Sequence, residues 1–123
     1  MNAFASFIVA PASTGVAATT RAADRGEAGK IGLPGGKIDE GEAARDAAIR
    51  EAAEEGWSVS GVSLYPIHTA MVEGEKVLWF SATKATPLND YKEKGRISPV
   101  VATLSDVANS GYGNHFLKNF KLN

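Results

Sequence analysis

Three glutamates in the middle of the chain have the residue type and the spacing to bind a metal ion. Glu51, Glu54 and Glu55 lie in an alanine-rich run, residues 43–55, without glycine or proline, and such a run predicts a helix. At about 100° per residue, this spacing gathers the three carboxylates within roughly a 100° sector of the helix. Mg²⁺ prefers such oxygen ligands and is often completed by substrate phosphates. The alternative is a solvated acidic face that balances nearby arginines.

A glycine pair directly before this run could form the other half of the same site. Gly35 and Gly36 follow Pro34. Glycine lets the backbone come close to a ligand, and a carbonyl there can supply another hard oxygen. An ordinary turn after the proline would explain the pair equally well. Neither the glycines nor the glutamates decide the function alone, but together they point to one site.

The spacing of these residues resembles the Nudix box, G-x5-E-x7-R-E-U-x-E-E-x-G-U. Gly36 is followed by five residues and Glu42, then by seven residues and the run Arg50-Glu-Ala-Ala-Glu-Glu55. The preceding Leu33-Pro-Gly-Gly-Lys37 resembles the segment that usually comes before the box. The match covers residues 33–56, about a fifth of the chain.

The end of the box departs from the family pattern. Trp57 stands where the last glycine belongs, Gly56 comes one position early, and Ser58 replaces an aliphatic residue. Because Gly56 can end a helix, we expect the helix to stop one residue sooner. All charged positions of the box lie before this shift.

The resemblance implies an α/β fold, a Nudix-like α/β/α sandwich with a mixed β-sheet, as a single domain over residues 1–123. It also implies that Glu51, Glu54 and Glu55 bind Mg²⁺, or Mn²⁺ in its place, together with the carbonyl of Gly36. By the same resemblance Arg50 would orient the glutamates by ion pairing. A simple i,i+4 helix pair with Glu54 would explain Arg50 equally well.

The implied reaction is attack by water on a phosphorus of a diphosphate, with cations neutralising the oxygens. Glu42 would anchor the loop before the helix. The reaction needs a general base, for which Glu54 is the first candidate and Glu93, in a later loop, is the second.

Residues outside the box bear on the substrate. We expect Lys37, Arg96 and Asn114 to bind it, because Asn114 lies where the branch acting on oxidised guanine nucleotides has a base-reading asparagine. Capping of a helix is the alternative role for Asn114. The proline typical of the ADP-ribose branch is missing, since Pro66 comes too early.

The favoured substrate is therefore a (d)NTP, with oxidised dGTP first, cleaved to a monophosphate and pyrophosphate. ADP-ribose or dinucleotide polyphosphate hydrolysis is the second hypothesis. A non-catalytic nucleotide-binding Nudix module is the third, and it predicts an eroded box, whereas this box keeps every acid.

The composition of the chain excludes several classes of site and partner. The chain has 123 residues, 44% of them hydrophobic, and no cysteine, so disulfides, thiolate zinc sites and cysteine nucleophiles are excluded. A net charge of −1 gives no reason to expect general nucleic-acid binding. The apolar N-terminal stretch is too short for a membrane span, so we expect no membrane partner and a cytoplasmic location. A homodimer is compatible with the sequence.

The elements that must position the site alternate between strands and helices. Residues 4–10 and 15–20 are predicted to pair as a hairpin, as are residues 59–72 and 77–83 around a turn at 73–76. The central helix spans residues 43–55. The other predicted elements are a strand over residues 97–103 and short helices over residues 104–109 and 114–120.

Overall fold

The computed structural model describes residues 3–22, 29–59 and 64–110, and these ranges contain ten strands and two helices. The helices are α1 (Ala44–Glu54) and α2 (Leu104–Ser110). The strands are β1 (Ala5–Val9), β2 (Pro11–Ala12), β3 (Gly15–Arg21), β4 (Ile31–Gly32), β5 (Gly35–Lys37), β6 (Trp57–Ser58), β7 (Leu64–Val72), β8 (Glu75–Ala82), β9 (Thr86–Pro87) and β10 (Ile97–Ala102).

One four-stranded sheet carries the glycine pair at its edge. Its order is β5-β1-β8-β7, with β1 parallel to β8 and antiparallel to β5. The sheet is therefore mixed, as predicted. Strands β7 and β8 form the predicted hairpin, whose turn places Glu73 and Gly74 at positive φ. Since β5 is the edge strand, Gly36 is only half-buried and Lys37 is exposed beside the sheet, while Gly35 is buried.

The predicted hairpin between residues 4–10 and residues 15–20 is wrong, because β1 and β3 lie in different sheets. Only Pro11 and Ala12 pair with β3, which lies in a second sheet of order β10-β3-β2 with β4 added beside β3. Strand β1 instead pairs with β8, about seventy residues later in the chain. Both faces of β1 are packed, which suits a central strand. Local composition cannot reveal so distant a partner.

Side chains of β1 alternate between two hydrophobic clusters. Ile8 packs in one cluster with Ala48 and Ala52 of α1. Ala5 belongs to the other cluster, which includes Val107 of α2. Helices therefore contribute to the core on opposite sides of the mixed sheet, and the predicted Nudix-like α/β/α sandwich is confirmed.

Helix α1 lies close to β1 and β5 because its inner face is built of alanines. Ala47, Ala48 and Ala52 are fully buried. The helix ends at Glu54, and Gly56 follows with a φ of 103°, a conformation that favours glycine. The early stop predicted from the shifted glycine is therefore confirmed.

Trp57, the residue that replaces the usual glycine, anchors the chain after α1. Its ring is buried and its Nε1–H donates to the carbonyl of Ala18 at 2.8 Å. The indole thus satisfies its one donor inside the core. Neither helix in the described parts of the chain is long and apolar enough to cross a membrane.

Candidate active site

Arg50 bonds two of the three glutamates, Glu51, Glu54 and Glu55, that form the acidic face of α1. Its guanidinium donates to both oxygens of Glu42, Nε to Oε2 at 2.9 Å and Nη2 to Oε1 at 3.0 Å. Its Nη1 donates to Glu51 Oε1 at 3.1 Å and to Glu54 Oε2 at 3.0 Å. Its Nη2 also donates to the carbonyl of Lys37 at 3.1 Å. These contacts, with the bond to Glu42 first among them, raise the pKa of Arg50 further above its ordinary value.

The contacts of Arg50 extend well beyond one helix pair. Arg50 forms an ion pair with Glu54, four residues later in the helix. It also donates hydrogen bonds to Glu42 and Lys37, which lie in the segment before the helix. The same side chain therefore makes the predicted i,i+4 pair and also binds the segment before the helix. The planar fork of arginine allows this, since it offers five N–H donors in a rigid arrangement.

Glu42 ties the loop before α1 to the helix. Its Oε1 accepts from the backbone N–H of Asp39 at 3.0 Å while both oxygens accept from Arg50. The hydrogen bond from Arg50, followed by that from Asp39, holds the pKa of Glu42 below its ordinary value. This geometry is what the predicted anchoring role of Glu42 requires.

Glu55 is the buried member of the three glutamates. Only 9% of the residue is exposed, and its Oε1 accepts from the backbone N–H of Gly35 at 3.0 Å. Burial raises the pKa of this carboxyl to about 8, against the lowering effect of the Gly35 hydrogen bond. The charged form of Glu55 is thus poorly compensated, and a nearby cation would favour it.

Glu51 faces the glycine pair across the gap between β5 and α1. A Cβ atom on Gly36 would lie 2.7 Å from Glu51 Oε2, so the carboxylate of Glu51 occupies the space that a side chain at position 36 would need. Burial raises the pKa of Glu51, against the lowering hydrogen bond from Arg50. Two partly desolvated carboxylates therefore lie beside the strand that carries Gly36.

A loop after β9, residues 88–96, lies against the C-terminal end of α1. The backbone N–H of Glu93 donates to the carbonyl of Glu54 at 2.8 Å, and that of Leu88 donates to Gly56 at 2.8 Å. Lys92 Nζ lies 3.9 Å from Glu54 Oε1. The negative charge of Glu93 acts on Glu55, where it contributes to the raised pKa. The loop thus brings a further acid and a cation to the site.

The predicted substrate-binding residues occupy different places. Lys37 lies on β5, with its Nζ 5.3 Å from the centre of the Phe4 ring. Arg96 is exposed at the end of the loop, where its Nη1 lies 3.9 Å from Glu93 Oε2. Asn114 lies outside the described residues.

Two residues near the site did not emerge from the sequence. Lys92 contacts Glu54, and the charge of Arg21, at the end of β3, lowers the pKa of Glu55. Neither belongs to the box, and both reach it through long-range folding. The alternating charges of Lys92-Glu-Lys94 were the only available signal, and they read equally well as a solvated loop.

The donor set fits a divalent cation, although the carboxylates do not yet converge on one point. Among the described residues, no three acidic or histidine side chains are arranged to hold a metal ion. The hydrogen bonds from Arg50 and Gly35 use Glu51 Oε1, Glu54 Oε2 and Glu55 Oε1. The second oxygen of each carboxylate takes no part in these bonds, so each glutamate can offer a hard oxygen ligand of the kind that Mg²⁺ prefers.

The family of the chain follows from a sequence match that includes this whole arrangement of α1 and its preceding loop. Residues 2–70, more than half of the chain, match the NUDIX domain. The chain belongs to the Nudix family. It is therefore a hydrolase of the Nudix type that acts on phosphorus-containing anhydrides, in a family that uses divalent metals and acts on small nucleotide substrates.

Solved structures agree with this fold. A MutT protein, from work on Aliivibrio salmonicida and Vibrio cholerae, superposes with a TM-score of 0.67 at 17% identity, covering 92% of this chain and 89% of that one. A NUDIX hydrolase from Nitrosomonas europaea gives 0.59 at 20% identity, covering 89% and 78%. An ADP compounds hydrolase gives 0.61 at 24% identity, covering 82% and 57%. No curated protein matches the sequence.

Proposed function

We propose that this Nudix hydrolase is a Mg²⁺-dependent (d)NTP pyrophosphohydrolase that releases a nucleoside monophosphate and pyrophosphate. Oxidised dGTP is the first candidate substrate. The observation that carries the proposal is the acidic face of α1, held in place by Arg50 and apposed to Gly36, where glycine leaves room for the Glu51 carboxylate. This arrangement offers oxygen ligands beside an accessible sheet edge.

Glu51, Glu54, Glu55 and the carbonyl of Gly36 would hold the cation. Mn²⁺ could replace Mg²⁺, since both accept hard oxygen ligands. When bound, the cation supplies positive charge that neutralises the phosphate oxygens and favours attack by water. Arg50 limits the motion of Glu51 and Glu54, and the N–H of Gly35 limits that of Glu55. These contacts support pre-organisation of the ligands.

Glu54 is the proposed general base that takes the proton of the attacking water, and Glu93 is the alternative. Glu54 has one oxygen held by Arg50 and projects toward the loop that carries Glu93. A base must lie within hydrogen-bond reach of the water, and both residues lie at the same end of α1. The Glu93→Gln variant distinguishes them, because it should remove most of kcat only if Glu93 is the base, whereas loss of Glu54 also removes a proposed metal ligand.

A groove beside Lys37 supports a nucleotide as the substrate. The groove has a volume of about 310 Å³ and is lined by apolar side chains, including Phe4, Phe7 and Trp79, and by Glu73 and Glu75 at its rim. The Phe7 and Trp79 rings are stacked at 6.1 Å between centroids. A base could lie against the exposed ring of Phe4, which lines the same groove as this more deeply buried pair. Because Lys37 Nζ lies over the Phe4 ring, it could bind phosphates of the same nucleotide.

Arg96 and Asn114 complete the proposed substrate contacts. Arg96 is exposed in the loop next to Glu93, where its guanidinium could bind phosphate oxygens in pairs. Asn114 is proposed to read the edge of the base through its amide. These roles stay predictions that Arg96→Ala and Asn114→Ala test through KM for the nucleotide.

A substrate panel tests the proposal most broadly. With Mg²⁺ present, we expect pyrophosphate from one or more canonical or oxidised dNTPs, and the fastest release from oxidised dGTP. Cleavage restricted to ADP-ribose or to dinucleotide polyphosphates would favour the second candidate, which is consistent with the structural similarity to an ADP compounds hydrolase. Binding without turnover on any member would favour a non-catalytic module.

The same proposal treats residues 1–123 as a single domain that works in the cytoplasm. It includes neither a membrane nor general nucleic acid as a partner, and it is compatible with a homodimer. Sedimentation of the purified chain would establish its oligomeric state.

A further inference from the structure

Lys92 lies beside the acidic face of α1 in an exposed ion pair with Glu54. Its Nζ is 3.9 Å from Glu54 Oε1, and its side chain is 71% exposed. An exposed ion pair at this distance contributes little to stability, because solvent screens it. The ammonium of Lys92 can therefore leave Glu54 for another anion at little cost in stability.

The loop holds Lys92 at the site independently of that ion pair. Backbone hydrogen bonds to the end of α1 flank it on both sides, from Leu88 to Gly56 and from Glu93 to Glu54, each at 2.8 Å. The backbone is thus held beside α1, while the long side chain stays free to move.

Lys94, two residues later, makes a different contact. Its Nζ donates to the carbonyl of Asn89 at 2.8 Å, within the same loop. It has the same residue type and nearly the same sequence context as Lys92, but it bonds within the loop rather than to Glu54. This makes Lys94 a matched control for Lys92.

We propose that Lys92 is a phosphate-binding residue of the site, which pairs with Glu54 in the free protein and with a non-bridging phosphate oxygen once cation and substrate bind. This rests on the proposed role of Glu54 as a metal ligand. A cation on Glu54 repels an ammonium that is 3.9 Å away. The phosphates that arrive with the cation attract the ammonium, and lysine binds phosphate well as a point charge. The ammonium thus exchanges one anionic partner for another with a small movement of its side chain.

Calorimetry with inorganic pyrophosphate and Mg²⁺ tests this directly. Charge-assisted hydrogen bonds predict that Lys92→Ala weakens the Kd for pyrophosphate about tenfold. Lys94→Ala should leave that Kd unchanged, and Lys92→Arg should restore most of the affinity. The affinity of Lys92→Ala for Mg²⁺ alone should be unchanged or higher, because a competing positive charge has been removed from Glu54.

Three results would overturn the proposal. The first is that Lys92→Ala and Lys94→Ala bind pyrophosphate with equal affinity. The second is that Lys92→Ala binds Mg²⁺ alone more weakly than the unsubstituted protein. The third is that the unsubstituted protein does not bind pyrophosphate. The first two would mean that Lys92 does not contact phosphate or that its loss disturbs the loop.

The nucleotide assay separates this proposal from the proposed function. If Lys92→Ala weakens pyrophosphate binding while no nucleotide in the panel is cleaved, the role of Lys92 stands and the substrate assignment fails. If nucleotides are cleaved but Lys92→Ala changes neither pyrophosphate binding nor KM, the role of Lys92 fails alone. Where both hold, the variant should raise KM more than it lowers kcat.

Discussion

Arg50 shows how one residue can position a site without performing its chemistry. Its side chain is 30% exposed and bonds Glu42, Glu51 and Glu54 together. Removal of the guanidinium would leave these half-buried carboxylates uncompensated, which is costly in a partly desolvated environment. Arginine rather than lysine is required, because a single ammonium cannot reproduce the fork.

Arg50→Lys should therefore reduce both stability and activity. We expect the free energy of unfolding to fall by about 1–3 kcal/mol through lost charge-assisted hydrogen bonds. We expect kcat/KM to fall on the order of a hundredfold through displaced glutamates. Arg45→Lys, on an exposed position of the same helix, is the control for denaturation and kinetics. Equal behaviour of the two variants would contradict the organising role of Arg50.

Glu55 should make the metal-free protein sensitive to pH. Burial raises its pKa from 4.5 to about 8, so the folded state binds a proton that the unfolded state releases. The stabilisation is fully present below about pH 4.5 and is lost as the pH rises through about 8. Chelated protein should therefore lose unfolding free energy over this range.

Glu55→Gln tests this sign, because the amide keeps an acceptor for the Gly35 N–H but cannot ionise. Denaturant unfolding at pH 6 and pH 8.5 should show a smaller loss in this variant than in the unsubstituted protein, whereas Glu40→Gln, on an exposed residue, should leave the loss unchanged. An unaltered loss in Glu55→Gln would mean that other groups cause it.

At the scale of elements, the distance between β5 and α1 sets the site. The alanine face of α1 lets the helix approach the sheet, and Gly36 leaves space for the Glu51 carboxylate. Both features are visible in the sequence, since small residues permit close approach.

Gly36→Ala should separate function from stability. The added methyl meets only the movable end of Glu51, so we expect unfolding free energy to change by less than about 1 kcal/mol. Affinity for Mg²⁺ and turnover should both fall, because Glu51 must turn away. Gly15→Ala is the contrast, since its methyl would meet the backbone carbonyl of Ala102 and should destabilise the fold. Full activity of Gly36→Ala would contradict the close apposition.

What the sequence could predict at this scale was local. Helix propensity and the glycine after it predicted residues 43–55, and the helix observed is Ala44–Glu54. The hairpin of β7 and β8 also followed from two β-prone runs and a turn. The pairing of β1 with β8 did not follow, because it depends on contacts between distant parts of the chain. Lys92 reaches Glu54 for the same reason, through the packing of a loop that has no pattern of its own.

At the scale of the whole molecule, the four-stranded sheet packs against hydrophobic clusters on both faces, and the candidate active site lies at its β5 edge. The two hydrophobic clusters hold α1 and α2 against different sides of β1, while the acidic face of α1 meets β5 at the edge. Binding of a cation there should stabilise the folded chain, because the unfolded chain does not hold the carboxylates together.

Mg²⁺ or Mn²⁺ should accordingly raise the melting temperature. At a hundredfold excess over Kd, the expected gain is about 2.7 kcal/mol of unfolding free energy. Glu51→Gln should reduce the gain, and Glu40→Gln should retain it. Thermal denaturation across a metal titration gives the comparison, and an equal gain in Glu51→Gln would place the cation elsewhere.

Turnover of Glu54→Gln beside the unsubstituted protein is the most direct test of the whole account. With Mg²⁺ and the best nucleotide of the panel, the unsubstituted protein should release pyrophosphate. Glu54→Gln should lose about 10²-fold or more in kcat with little change in the melting temperature of the metal-free protein. Undiminished pyrophosphate release by Glu54→Gln would contradict a reaction centred on the acidic face of α1.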